Sequence, residues 1–236
     1  IDPDDAATHY NLGLAYYDSG KYKEAIKSYK QAIRTDPDLE EAHYNLGVAY
    51  GDLGKHEEAI KSLKQAIRID PDDADAHYNL GHVYGELGRY EEAIESYKQA
   101  IRIDPDFAEA HYNLGLAYYE SGKYKEAIES YKQAIRIDPD FALAHYNLGY
   151  AYVVGLGKYE EAIKSFKQAI RINPDYADAH YNLGKAYHDS GKYKEAIEPY
   201  KQALRINPDA ADAHYNLGLA YYESGKYKEA IESYKQ

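Results

Sequence analysis

Prolines recur at positions 3, 37, 71, 105, 139, 174 and 208, 34 residues apart with a single interval of 35, while the eighth, Pro199, falls out of phase. A fixed period of that length means stacked supersecondary units, none of which buries its apolar face alone. Within the first unit the residues His9, Leu12, Gly13 and Tyr16, then Ala25, Ile26, Tyr29, Ala32 and Ile33, carry spacings of three, four and seven. Those spacings put the apolar residues on one face of each of two helices, called A and B below. Helix A is expected to stop at the turn glycine (Gly20, Gly54, Gly88, Gly122), where a left-handed residue costs least as glycine. Asp38 and Glu41 are placed to form a reciprocal capping box at the start of the next helix A, with Asp72 and Asp75, then Asp106 and Glu109, at the same positions.

The unit resembles the tetratricopeptide repeat. That family's pattern of a large residue, Leu-Gly, Tyr, Ala, an aromatic and Pro is met by His9, Leu12, Gly13, Tyr16, Ala25, Tyr29 and Pro37. The resemblance covers essentially the whole chain. It departs from the family at His9, His43, His77, His111, His145, His180 and His214, which stand at the frequent Trp site. The resemblance implies an all-α, right-handed superhelical solenoid of seven helix-turn-helix units forming a single domain over 1–236, at about 4–37, 38–71, 72–105, 106–139, 140–174, 175–208 and 209–236.

Composition narrows the function. With 28 Lys and Arg against 40 Asp and Glu, a net charge of −12, the chain lacks the basic surface that holds a phosphate backbone, so no nucleic-acid partner is expected. No apolar run approaches the roughly 20 residues of a membrane span. Zero cysteines exclude disulfides and thiol chemistry while leaving the compartment open, cytoplasmic for a scaffold and extracellular for a fibre subunit. The chain begins at Ile1 and has no methionine, as expected of a processed product, an excised fragment or an incompletely described chain.

Nothing reads as catalytic. The carboxylates, and serines such as Ser28, Ser96, Ser130 and Ser233, recur without change of environment, whereas catalysis needs a singular site. The seven periodic histidines are one per unit, too far apart to converge on a metal, and no cofactor is expected. His56 replaces a Tyr before helix B, while His82 and His188 stand alone on their A helices.

The face that lines the groove in proteins this chain resembles is more informative. It presents Tyr44, Asn45, Tyr78, Asn79, Tyr112, Asn113, Tyr146, Asn147, Tyr181 and Asn182, with Tyr10, Asn11, Tyr215 and Asn216 at the ends. An asparagine amide both donates and accepts, so a ladder of them suits the backbone of an extended peptide, with Tyr rings over its side chains. The competing reading is that Asn serves its helix A neighbours and Tyr packs between units. Further along come Leu14, Val48, His82, Leu116, Tyr150, Lys185 and Leu219, then Tyr17, Gly51, Gly85, Tyr119, Val153, His188 and Tyr222. A carboxylate clamp for a partner's C-terminus is not expected, since Lys185 is the isolated cation there.

Two irregularities stand out. The fifth turn, Val153-Val154-Gly155-Leu156-Gly157, is one residue longer and more apolar than the others, either a contact knob or a tolerated insertion. Pro199 lies inside a helix B and is expected to kink it. No polar cap is visible at either end, and the two ends are in phase. Either the chain is a stretch of a longer array or, as a second functional reading, it is a homopolymer stacked head to tail through Ile1, Tyr10, Tyr227, Ile231 and Tyr234. A consensus-like array without a ligand is a third, opposed by the fifth turn and Pro199.

Overall fold

The computed structural model describes residues 5–236, so Ile1 lies outside the described residues. Fourteen α-helices follow one another among them, in seven A/B pairs. The chain forms two compact units, Ile1–Ser121 and Gly122–Gln236. The first holds α1 (Ala6–Asp18), α2 (Tyr22–Thr35), α3 (Glu40–Asp52), α4 (His56–Ile69), α5 (Ala74–Glu86), α6 (Tyr90–Ile103) and α7 (Ala108–Glu120). The second holds α8 (Tyr124–Ile137), α9 (Ala142–Leu156), α10 (Tyr159–Ile172), α11 (Ala177–Asp189), α12 (Tyr193–Ile206), α13 (Ala211–Glu223) and α14 (Tyr227–Tyr234). In each unit every helix packs on the next. A helices also touch across the B helix between them (α3 with α5 and α5 with α7, then α9 with α11 and α11 with α13), so their faces form one continuous surface within each unit.

The pairing of A and B rests on a notch and a ring. A Cβ on Gly81 would sit 2.8 Å from Tyr97 Cε1, one on Gly47 2.6 Å from Leu63 Cγ, and one on Gly149 2.8 Å from Phe166 Cε1. Leu63, Tyr97 and Phe166 are each at most 4% exposed, and each of these side chains is thus received by the absence of one on the glycine. The buried serines act locally. Ser28, Ser96, Ser130, Ser165 and Ser233 each donate from Oγ to the carbonyl four residues back, at 2.9–3.1 Å.

Helix A ends as the sequence predicts, with φ between 61° and 79° at the turn glycines from Gly20 to Gly225. The starts differ. The N-cap of α3 is Leu39 and that of α7 is Phe107, neither with a side-chain cap, so the capping boxes at Asp38 and Asp106 do not form. At α5 the cap is Asp73, which accepts from the amides of Asp75 and Ala76, rather than Asp72. The residue before each proline is held extended by the ring. Its side chain then accepts from the amide two residues on: Asp36 from Asp38 at 3.1 Å, Asp70 from Asp72 at 3.0 Å, Asp104 from Asp106 at 3.0 Å.

The histidines at the Trp site fasten the same corner. Nε2 of His43, His77, His111, His145, His180 and His214 donates to the carbonyl of the proline six residues earlier, at 2.8–3.2 Å. A carbonyl only accepts, which fixes the Nε2–H tautomer. Pro199 does not break its helix. α12 runs the same fourteen residues as α10, with Ala196, Tyr200 and Ala203 buried on either side of the proline. The fifth turn's extra residue is absorbed into α9, which reaches fifteen residues before Gly157 adopts φ 61°.

Candidate functional site

On the A-helix face the asparagines and tyrosines meet one another. In the first unit Asn45 Nδ2 donates to Tyr10 Oη at 3.1 Å, Asn79 to Tyr44 at 3.0 Å and Asn113 to Tyr78 at 2.8 Å. In the second, Asn182 donates to Tyr146 at 3.0 Å and Asn216 to Tyr181 at 2.9 Å. The same nitrogen also donates to the carbonyl four residues back, at 2.9 Å from Asn45 to Glu41 and from Asn79 to Asp75, and at 3.0 Å from Asn182 to Asp178. Both amide hydrogens are therefore engaged inside the protein. The amide is locked, and nothing among the described residues donates to Oδ1 of Asn45, Asn79 or Asn182. The expectation of a donor-and-acceptor ladder is thus narrowed to an acceptor.

Tyr78, Tyr146 and Tyr181 are pinned from a second side. Ring centroids lie 5.8 Å apart for Tyr78 and Tyr97, for Tyr146 and Phe166, and for Tyr181 and Tyr200, all in tilted contact. Burial, then the Asp75 carboxylate, pushes the Tyr44 phenol up to about 12. Tyr78 and Tyr181 are raised for the same first reason, with Glu109 and Asp212 as the next causes. These phenols stay protonated in neutral solution and keep a hydrogen to donate while accepting from Asn.

Tyr112 and Asn147 are half-buried on the same face of their own units. These bonds are what the competing reading of the sequence expected, Asn serving its A-helix neighbours and Tyr packing between repeats, though the sequence did not pair each Asn with the Tyr of the preceding repeat. The signal was present as the constant offset of 35 from each Tyr to its Asn, or 36 across the fifth turn.

The rim is acidic in the first unit. Tyr17 Oη donates to Asp52 at 2.5 Å, and burial with neighbouring Asp73 pushes Glu40 up to about 7. In the second unit α9 departs from this pattern. Leu143, Tyr150 and Val154 are exposed at 47%, 39% and 47%, and Leu143 and Val154 stand where other repeats carry acids such as Glu109 and Glu120. Among the described residues no cluster of His, Asp and Glu has metal-holding geometry, and no helix is long and apolar enough to cross a membrane.

Profile comparison matches the family described as "TPR repeat" over residues 13–54, 51–88, 81–122, 115–153, 154–191 and 185–225. The chain belongs to the tetratricopeptide repeat family. Seven repeats agree with the fourteen helices, and proteins of this family are scaffolds for protein interaction. No curated protein matches the chain. Among solved TPR structures, MamA is 35% identical over 71% of this chain and 97% of its own, with a TM-score of 0.67. YrrB, described as "a TPR protein with an unusual peptide-binding site", is 24% identical over 80% and 96%, at 0.69. A TPR protein from Parabacteroides merdae is 21% identical over 98% and 91%, at 0.73. The latter two likenesses concern the TPR fold alone.

Proposed function

We propose that this TPR protein is a non-enzymatic scaffold whose A-helix face binds an extended peptide segment of a partner protein. The observation that carries the reading is the locked asparagine. With both amide hydrogens engaged, Asn45, Asn79 and Asn182 each keep an Oδ1 acceptor at the same place in their repeat. An extended peptide has backbone N–H groups to donate to them, and the phenols of Tyr44 and Tyr78 have hydrogens for its carbonyls. The sites meant are Tyr44, Asn45, Tyr78, Asn79, Tyr112 and Asn113 in the first unit and Tyr146, Asn147, Tyr181 and Asn182 in the second. The exposed Leu143, Tyr150 and Val154 suit an apolar stretch of such a partner.

The test uses peptides selected from a random library against the intact protein. The Asn45→Ala, Asn79→Ala, Asn113→Ala variant should lose about tenfold or more in affinity, since each lost acceptor bond contributes about 0.5–1.5 kcal/mol. Unchanged affinity, with the circular dichroism of the folded protein retained, sinks the reading.

Head-to-tail stacking of copies is the second reading, favoured by one observation. α14 exposes Tyr227, Ile231 and Tyr234 at 60%, 54% and 47%, beside a cleft lined by Leu204, Leu217 and Tyr221. Tyr10 is already engaged by Asn45 and Tyr29, and Ile1 lies outside the described residues. Sedimentation velocity at rising concentration should show growing polymers under this reading. A single monomeric species throughout would end it.

A further inference from the structure

We infer that the first unit's A-helix face contains a recognition site for arginine side chains, opened by Gly51 and Gly85. The inference rests on the peptide-binding reading and specifies its ligand. In the first repeat Tyr17 fills this position and its hydroxyl caps Asp52 of the next repeat at 2.5 Å. At the two following repeats glycine stands in its place, so no tyrosine at this position reaches toward Glu86 or Glu120.

Neither glycine is required by the backbone or by crowding. Both lie in the last turn of a helix, α3 or α5, and neither has a positive φ. A Cβ on Gly85 would meet nothing within 4 Å, and one on Gly51 only Val83 Cγ2 at 3.8 Å. A helical glycine costs about 0.5–1 kcal/mol relative to alanine. Two of them, with no packing return, supply room.

That room is a pair of adjoining cavities of about 470 and 340 Å³, the size of small ligand pockets. They share His82 and Glu86 as a common wall. Asn79 lines one and Asn113 the other, so each side-chain pocket adjoins a ladder acceptor. Tyr78 lines the first; Tyr90 and Tyr97 line the second. His56, where the equivalent residue of other repeats is Tyr, brings Nδ1 to 3.4 Å from Glu86 Oε2, and His82 Nδ1 lies 4.0 Å from the same oxygen.

Carboxylates beside aromatic walls suit a planar, delocalised cation that pairs and stacks at once, which is guanidinium rather than ammonium. The chain's net charge of −12 favours approach of a basic segment.

Two fluorescein-labelled ten-residue Gly/Ser peptides test this by anisotropy, one with two arginines and one with citrulline, the neutral isostere, in their place. The arginine peptide should bind at least about fivefold tighter to the wild type, the ratio of one favourable exposed ion pair. Glu86→Gln with Glu120→Gln should erase the difference, while Glu58→Gln with Glu91→Gln, an equal charge change on B helices, should leave it. Gly51→Tyr with Gly85→Tyr restores the residue of the first repeat. It should raise the unfolding midpoint and abolish the preference, so loss of binding does not reflect loss of fold.

Equal binding of the two peptides, or an equal effect of the control pair, overturns the arginine site. If Asn79→Ala still weakens library-selected peptides in that case, the broader peptide reading stands. If neither effect is seen, both fall.

Discussion

Truncating Phe166 to alanine is expected to destabilise the second unit by about 3–5 kcal/mol, the usual cost of removing a buried aromatic ring and leaving its cavity. Phe166 is 1% exposed and packs with Ile163, Leu183 and Ala186. Its ring also faces Tyr146 at 5.8 Å, so the loss reaches the ladder. Urea unfolding gives the magnitude. In a repeat protein each unit depends mainly on its neighbours. Hydrogen exchange should therefore quicken most in α9, α10 and α11 and least in α1 to α4. A loss below about 1 kcal/mol would mean that the notch and ring are not what joins A to B.

The reciprocal change is Gly149→Val, expected to cost about 1–3 kcal/mol by overpacking. Any Cβ there would lie 2.8 Å from Phe166 Cε1, and the ring, buried on all sides, has nowhere to move. In the Phe166→Ala background the same valine enters vacated space. Its cost should then fall by about 1–3 kcal/mol, a coupling that a double-mutant cycle reads directly. Additivity within about 0.5 kcal/mol would refute direct contact as the cause.

Why this pair was visible in the sequence, and other features were not, follows from the range of each interaction. The proline period and the helical spacings report repeated local structure, and they marked the helices and turn glycines. Gly13 and its counterparts were already the natural sites of close approach, because no other residue there leaves space for a ring. The capping residue differs from the expectation because an aspartate stands on both sides of Pro37, Pro71 and Pro105. Pro37 holds Asp36 extended, which aims that side chain at the amide of Asp38 and leaves Leu39 as the N-cap.

The fifth turn was misplaced for a similar reason. Val153 and Val154 continue α9, so the inserted residue lengthens the helix instead of the loop. The family resemblance placed the asparagines on the A-helix face, and there they meet the tyrosines. The competing reading had Asn serving its A-helix neighbours, but which tyrosine each one meets came only with the structure, because the bond from Asn79 to Tyr44 joins different repeats. The glycines at 51 and 85 read as gaps in an aromatic row. Only the empty space around them shows that the gaps are cavities.

On the proposed reading, locked asparagines present acceptors to an extended partner. A crystal structure of the protein with a library-selected peptide tests it most directly. The predicted result is a peptide N–H nitrogen about 2.7–3.2 Å from Asn79 Oδ1, with Asn79 Nδ2 still donating to Tyr44. A peptide seated away from the A-helix face, or asparagine amides turned away from their tyrosines to meet it, would contradict the account.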